Sequence, residues 1–247
     1  MKAMVFAAGL GTRLRPLTDH RPKALVEIDG HALLEITLAR LRAFGIREVI
    51  INVHHFAGMI LDYLKANHDF GMRIEISHEE ILLDTGGGLK KAAYFFLENS
   101  SSLEPFILHN VDVLSTIDLQ RMVQFHTAHQ ALATLAVQDR QTSRYLLFDP
   151  QLRLCGRQSG HDRGAEVVSS SEPLQALAFS GIHVISPGLL TMMEEGVFSI
   201  ITSYLQLAAR GEKILAFRAD EYYWRDLGKP DNVRQAALEL KQKIFLP

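Results

Sequence analysis

Cysteine is almost absent from this 247-residue chain: Cys155 stands alone, so no internal disulfide can form and no cysteine cluster can hold a metal. A reducing compartment, the cytoplasm, is the predicted home. An excess of one charge is lacking too. The 26 Lys and Arg against 28 Asp and Glu leave a net charge of −2, which gives no electrostatic reason for a nucleic-acid or membrane partner. No run approaches the ~20 apolar residues of a membrane span. The apolar start, Ala3 to Ala8, runs directly into Thr12, Arg13 and Arg15. It is shorter than the ~7–15-residue apolar core of a secretory signal, so no leader is predicted. Internal repeats, low-complexity tracts and convincing linkers are also missing, and no obligate protein partner is evident. One domain spanning 1–247 is predicted.

What is present is ordinary globular composition, 47% hydrophobic and 22% charged. The first half alternates short apolar runs with amphipathic segments: strands at Met4–Ala8, Glu48–Val53, Arg73–Ser77 and Phe106–His109, with helices at Leu33–Phe44, Phe56–Asn67 and Leu89–Leu97. The order βαβαβαβ predicts an α/β fold with a mostly parallel, Rossmann-like sheet and a ligand crevice at the carboxyl ends of the strands. Beyond Asp118 the pattern predicts a helix to His129, a strand Ala131–Val137, a hairpin Tyr145–Leu154 and a polar loop from Gly156 to Ser171. A strand Ala176–Ile185, helices Leu189–Glu194 and Ile200–Ala209, a strand Ile214–Arg218 and a helix Asn232–Lys243 complete the reading. The second half thus inserts a small β lobe, dividing the domain into parts of about 1–115 and 116–247.

The chemistry concentrates after the first strand, in Ala7-Ala8-Gly9-Leu10-Gly11-Thr12-Arg13-Leu14-Arg15-Pro16-Leu17-Thr18, followed by Pro22-Lys23. Glycines there let backbone N–H groups approach a phosphate, and Arg13, Arg15 and Lys23 can neutralise its charge. The alternative is a plain tight turn with cations on a solvated face. Neither a dinucleotide fingerprint, which needs Gly where Leu14 stands, nor a P-loop with Gly-Lys-Ser/Thr is met. Asp112, ending a strand, is by itself more readily a turn or helix-cap residue than a cation ligand.

Four segments in order resemble the sugar-1-phosphate nucleotidyltransferase family: Gly9 to Thr18 with Pro22-Lys23, then Asp84-Thr85-Gly86-Gly87-Gly88, then His109-Asn110-Val111-Asp112, and Trp224-Arg225-Asp226-Leu227-Gly228-Lys229-Pro230. The triple glycine and Phe179-Ser180-Gly181-Ile182 are most similar to the N-acetylmuramic acid 1-phosphate uridylyltransferases of cell-wall recycling. The resemblance implies a glycosyltransferase-A-like fold and transfer of a nucleoside monophosphate from an NTP, UTP in this subfamily, to a sugar 1-phosphate with release of pyrophosphate. It implies Mg²⁺ on Asp112 and Asp226, with Arg13 and Lys23 as catalytic cations. Ala8, Gly9, Gly11, Thr12, Gly86 and Gly87 would contact nucleotide, and Asn110, Ser180 and Gly181 the sugar. Transfer to a heptose, mannose, glucose or choline phosphate, or an inactive nucleotide-sugar-binding regulator, are the alternatives. The chain length predicts a single activity.

Val111 stands where the family has Gly and Lys229 where it has Thr; a β-branched residue beside Asp112 is expected to narrow the pocket. Several other residues are given bland roles. His54 and His55 point to opposite faces, one of them near the crevice rim. Cys155, Met192-Met193 and Tyr94-Phe95-Phe96 are expected to pack in the core, and Ser169-Ser170-Ser171 to be loop. Asp162-Arg163, and Arg157, Arg163 or Lys229 as partners for a substrate carboxylate, remain open.

Overall fold

The computed structural model describes residues 1–98, 104–159, 164–169 and 173–241. Its strands are β1 (Lys2–Phe6), β2 (Glu27–Ile28), β3 (His31–Ala32), β4 (Glu48–Val53), β5 (Arg73–His78), β6 (Phe106–Asn110), β7 (Val113–Ser115), β8 (Ala133–Gln138), β9 (Arg144–Phe148), β10 (Leu154–Ser159), β11 (Glu166–Val167), β12 (Gln175–Ile185), β13 (Ile214–Arg218) and β14 (Trp224–Asp226). The helices are α1 (Leu33–Ala43), α2 (Ala57–Ala66), α3 (Asp84–Lys91), α4 (Ala93–Leu97), α5 (Leu119–Ala128), α6 (Gly188–Met192), α7 (Ile200–Ala209) and α8 (Pro230–Lys241). The chain forms two compact units, one of Met1–Leu83, His109–Ile117 and Tyr223–Pro247, the other of Asp84–Leu108 and Asp118–Tyr222.

In the first unit β1, β4 and β5 run parallel, with Phe6 opposite Asn52 and Asn52 opposite Ser77. Val5, Ile50 and Ile51 are fully buried, the near-continuous apolar run of a strand covered on both faces. Helix α1 buries Leu34, Leu38 and Leu41, a helical stripe, and Gly45 at φ 81° ends the segment in the left-handed region. Because the three strands are parallel and in register, Ala7, Asn52 and Glu79 emerge at one edge, the carboxyl end. A short antiparallel ladder, β7 with β14, sets Asp226 opposite Val113.

In the second unit β8 pairs antiparallel with β12 and parallel with β13, while β12, β9, β10 and β11 continue antiparallel. The α/β architecture is therefore as read from the sequence, with the β lobe in the second half. Some boundaries differ. The helix expected to start at Leu89 begins instead at Asp84, so the glycines 86–88 lie inside α3. Helix α8 begins at Pro230, whose fixed φ suits a first helical position; residues 242 and 243 lie outside the described residues.

The predicted loop from Gly156 is in part strand: β10 continues to Ser159 and β11 pairs with it. A Cβ on Gly156 would lie 2.3 Å from the Glu166 carbonyl oxygen, so glycine permits this close pairing. Asp162, Arg163, Ser170 and Ser171 lie outside the described residues. Tyr94 and Met192 are exposed, at 42% and 44%, unlike their buried neighbours Phe95, Phe96 and Met193. Adjacent residues on a helix face different directions, so only part of each run reaches the core.

Candidate active site

The site begins where β1 ends. Ala7 and Ala8 are buried and Gly9 is exposed; Gly11, at φ 65°, adopts a left-handed conformation that glycine takes without strain. There its carbonyl accepts from Leu14 N at 2.8 Å, opening the 3-10 turn Thr12–Leu14, and from Thr18 Oγ1 at 2.9 Å. A Cβ on Gly11 would meet Thr18 Cγ2 at 3.0 Å and Lys23 Cβ at 3.1 Å. This packing and Pro22, extended at φ −69°, deliver Lys23 to the first position of a second 3-10 turn, Lys23–Leu25.

Lys23 Nζ forms an ion pair with Asp112 Oδ2; the two side chains are 16% and 11% exposed. Asp112 occupies the tight connection between β6 and β7, with Val111 N donating to Phe6 O at 3.2 Å. Val111 is 2% exposed, so its side chain is buried beside Asp112. The β7–β14 ladder brings the second carboxylate alongside: Leu227 N donates to Asp112 O at 2.8 Å, one residue after Asp226. Gly228 N donates to Asp226 Oδ1 at 2.8 Å, and Arg13 Nη1 lies 3.9 Å from Asp226 Oδ2. A Cβ on Gly228 would fall 2.7 Å from Arg13 Nη2, so a larger residue there would displace the guanidinium. Two cations from the first loop are thus cross-paired with two carboxylates from strand ends far along the chain.

Sequence reasoning missed the frame behind them. Arg40 of α1 donates to the Ser115 and Ile117 carbonyls, while Thr116 and Tyr223 exchange two 3.0 Å hydrogen bonds. Asn232 Nδ2 donates to Asp226 O at 2.7 Å, and Glu239 of α8 takes Arg225 Nη2 at 2.5 Å and Nε at 3.1 Å. Burial first, and then the Glu239 carboxylate that accepts from its hydroxyl, raise the Tyr223 phenol to about 12 against the lowering effect of Arg225. The only signal available was polar residues inside apolar helical stretches, which carries no partner information.

His109 is completely buried, with Nδ1 2.8 Å from Asn110 O and Nε2 without a hydrogen-bond partner among the described residues. Burial, reinforced by the Arg40 charge, lowers its imidazole to about 4, so it is neutral near neutral pH. Asn110 is half-buried and Thr12 exposed. Lys229 is exposed, and Arg157 Nε donates to Glu166 Oε2 at 2.6 Å. Of the two histidines after β4, His54 is held by its Nδ1 2.8 Å from Glu79 O and His55 is exposed.

Gly86, Gly87, Ser180 and Gly181 belong to the second unit. Gly86 N and Gly87 N donate to Phe198 O at 2.9 and 3.3 Å, and a Cβ on Gly86 would lie 2.3 Å from the Phe198 ring. Ser180 is fully buried and Gly181, at φ 74°, sits in the register shift of β12 between Phe179 and His183.

What the first unit provides is a set of hard oxygen ligands. Two carboxylates with nearby cations suit a divalent ion of the Mg²⁺ type that also takes phosphate oxygens. Groups of three or more His, Cys, Asp or Glu able to hold a metal are absent among the described residues, so a site here would depend on substrate oxygens as well. No helix among those residues is long and apolar enough to cross a membrane.

Comparison with known proteins gives the family. The model of the Nucleotidyl transferase family matches residues 2–153. The chain is 33% identical over 242 residues to the N-acetylmuramate alpha-1-phosphate uridylyltransferase of Caulobacter vibrioides, covering 92% of each chain. It is 30% identical over 234 residues to mannose-1-phosphate guanyltransferase beta-B of Xenopus laevis, covering 93% of this chain but 62% of that one. The solved structure of HddC from Yersinia pseudotuberculosis complexed with GMP-PN shares the fold at TM-score 0.78 and 19% identity, over 97% of this chain and 99% of that one. The chain belongs to the sugar-1-phosphate nucleotidyltransferase family.

Proposed function

We propose that the protein transfers uridylate from UTP to N-acetylmuramic acid 1-phosphate, making a nucleotide sugar and releasing pyrophosphate. The cross-paired set Lys23, Asp112, Arg13 and Asp226 carries the nucleotidyl-transfer chemistry of this reading. The substrate pair is supported by the 33% identity, over nearly the full length of both chains, to the Caulobacter uridylyltransferase. In this reading the two units work as one catalytic domain in the cytoplasm, in the recycling of peptidoglycan sugars.

The sugar phosphate is already anionic at neutral pH, so its oxygen needs no general base. It forms a bond to the α-phosphorus as the bond from that phosphorus to the β-bridging oxygen breaks, and the electron pair leaves with pyrophosphate. Catalysis is then positioning and charge stabilisation. The backbone of Ala8 to Thr12 lies against the triphosphate. Arg13 stabilises the leaving pyrophosphate, and Lys23, freed from Asp112, neutralises charge between the two substrates. Asp112 and Asp226 would hold Mg²⁺, which supplies charge neutralisation at the α-phosphate when bound. Gly86 and Gly87 serve the nucleotide, and Asn110, Ser180 and Gly181 the sugar. Since Gly86 N and Gly87 N are engaged by Phe198 O, their contribution is close backbone approach rather than free donors.

A second reading, guanylyl transfer to mannose 1-phosphate, is favoured by the 30% identity to the Xenopus enzyme. The test is kcat/KM for the four common ribonucleoside triphosphates, each with muramyl, glucosaminyl, glucosyl, mannosyl and heptosyl 1-phosphates, read as pyrophosphate release. UTP with the muramyl sugar is expected to lead. A preference for GTP with mannose 1-phosphate would establish the second reading, and nucleotide-sugar binding without any turnover would make the protein a regulator.

A further inference from the structure

Glu79 is 1% exposed, yet among the described residues the groups that satisfy its carboxylate are neutral donors. Asn52 Nδ2 donates to Oε1 at 2.7 Å and Leu83 N to Oε2 at 2.9 Å. Asn52, itself 3% exposed, uses its Oδ1 to accept from Ala7 N at 2.8 Å. The result is a buried relay, Ala7 to Asn52 to Glu79 to Leu83, across the carboxyl ends of three parallel strands. The backbone of Glu79 is fixed separately, by Glu79 N donating to Val53 O at 2.8 Å and by His54 Nδ1 2.8 Å from Glu79 O. The carboxylate therefore has no part in closing the sheet. Burying a carboxylate among neutral donors is costly, and apolar side chains would fill the same volume more cheaply. What it does achieve is to fix two chain segments at their roots: Ala7, where the Gly9–Gly11 loop leaves β1, and Leu83, the residue before Asp84-Thr85-Gly86-Gly87.

We propose that Asn52 and Glu79 are positioning residues for the nucleoside triphosphate, acting through the backbone of Ala7 and Leu83 without touching the ligand. The inference rests on the proposed nucleotidyl transfer. It assigns the relay to nucleotide affinity and leaves the sugar phosphate indifferent to it. Its donor and acceptor logic gives a specific test. In Glu79→Gln the side-chain amide must aim its NH₂ at another donor, either Asn52 Nδ2 or Leu83 N, and the relay breaks. In Asn52→Asp two carboxylates face one another and it breaks again. In the double variant Asn52→Asp with Glu79→Gln every bond returns with one direction reversed: Ala7 N to the Asp oxygen, the Gln NH₂ to the other Asp oxygen, and Leu83 N to the Gln carbonyl.

The experiment measures equilibrium UTP binding, KM for UTP and for the sugar 1-phosphate, kcat, and thermal midpoint for the four proteins. Each single change is expected to weaken UTP binding and raise its KM about tenfold, equivalent to about 1.4 kcal/mol. Kcat and the sugar-phosphate KM should stay within about twofold, and the double variant should recover most of the UTP affinity. Single variants that lower the thermal midpoint while UTP binding stays unchanged would reduce the relay to a structural role and overturn the proposal. So would a double variant that folds like the wild type yet binds UTP as weakly as the single ones. Wild-type protein that binds no nucleoside triphosphate would overturn the proposed function and this inference with it. Wild-type binding that the variants leave unmoved would overturn this inference alone.

Discussion

The two units bury polar groups of different kinds. The first buries carboxylates: Glu79 and Asp112 are 1% and 8% exposed, and Asp112 is paired to Lys23. The second buries mainly neutral pairs. His126 lies 2.9 Å from both Thr134 Oγ1 and Ser186 Oγ, His183 Nδ1 is 2.7 Å from Tyr204 Oη, and Gln138 Nε2 donates to two backbone carbonyls. Its buried carboxylate, Asp149, accepts from Gln151 N and Arg153 N and so holds a turn. Charge under cover is expensive and is retained where chemistry uses it, whereas neutral pairs fix side-chain orientation within a core. In the proposed reaction the charged groups accordingly come from the first unit, and the second contributes shape and uncharged contacts.

The sharpest way to break that division is to neutralise one carboxylate of the first unit. Asp112→Asn and Asp226→Asn are each expected to lower kcat about 1000-fold, equivalent to roughly 4 kcal/mol of lost charge stabilisation. The thermal midpoint should change little. Loss of Asp112 leaves Lys23 partly exposed and able to find water, so folding is not the casualty. Near wild-type turnover in either variant would remove that residue from the site.

In the second unit the expected effect is on stability, and it depends on pH. Burial lowers the His126 imidazole to about 4 from its ordinary 6.5. The unfolded chain therefore takes up a proton across that window while the folded chain does not. Stability from this group is complete above 6.5 and declines as pH falls toward 4. The decline amounts to at most about 1.4 kcal/mol per pH unit. Unfolding by urea from pH 7 to 4.5 should show the His126→Gln variant with a shallower loss than wild type. Parallel curves would mean that the imidazole is already charged in the folded protein.

Gly86→Ala sharpens the comparison inside the second unit. Its Cβ would meet the Phe198 ring at 2.3 Å and the Phe198 carbonyl oxygen at 2.8 Å, so Phe198 must move. Overpacking of this kind costs about 1–3 kcal/mol. Adding Phe198→Ala removes the ring clash and should return part of that loss in a double-mutant cycle. Simple additivity of the two changes would show that ring and glycine are not coupled.

These contrasts were unequally legible in the sequence. The βα alternation was clear because buried parallel strands such as Glu48–Val53 read as continuous apolar runs. Arg13, Lys23, Asp112 and Asp226 stood out through motifs; in the structure Lys23 pairs with Asp112, and Arg13 Nη1 lies 3.9 Å from Asp226 Oδ2. The start of α3 was misplaced at Leu89, since glycine has low helix propensity, while here Phe198 O and Thr85 Oγ1, which accepts from Ile200 N at 3.0 Å, anchor a helix that already includes glycines 86–88. Asn52 and Glu79 were invisible because the side-chain bond that links them joins two strands, and Glu79's local partner, Leu83 N, is a backbone group that no residue type signals. Their meaning lies in strand register, which brings together positions 27 residues apart.

The smallest effect is expected at the chain's one thiol. Cys155 lies in β10 of the second unit at 1% exposure, and its Sγ donates weakly to Arg153 O at 3.4 Å. Burial raises its pKa above the ordinary thiol value, with the Asp149 charge adding to the effect, so little thiolate exists to react. If the second unit is scaffold, this side chain contributes only packing. Cys155→Ala should then cost about 1 kcal/mol or less in urea unfolding, the scale of a small core truncation, and leave kcat/KM within about twofold. Iodoacetamide at neutral pH should leave the native protein unlabelled for hours and label it once unfolded. Rapid alkylation of the folded protein with loss of turnover would contradict both the burial of the thiol and the assignment of the chemistry to the first unit.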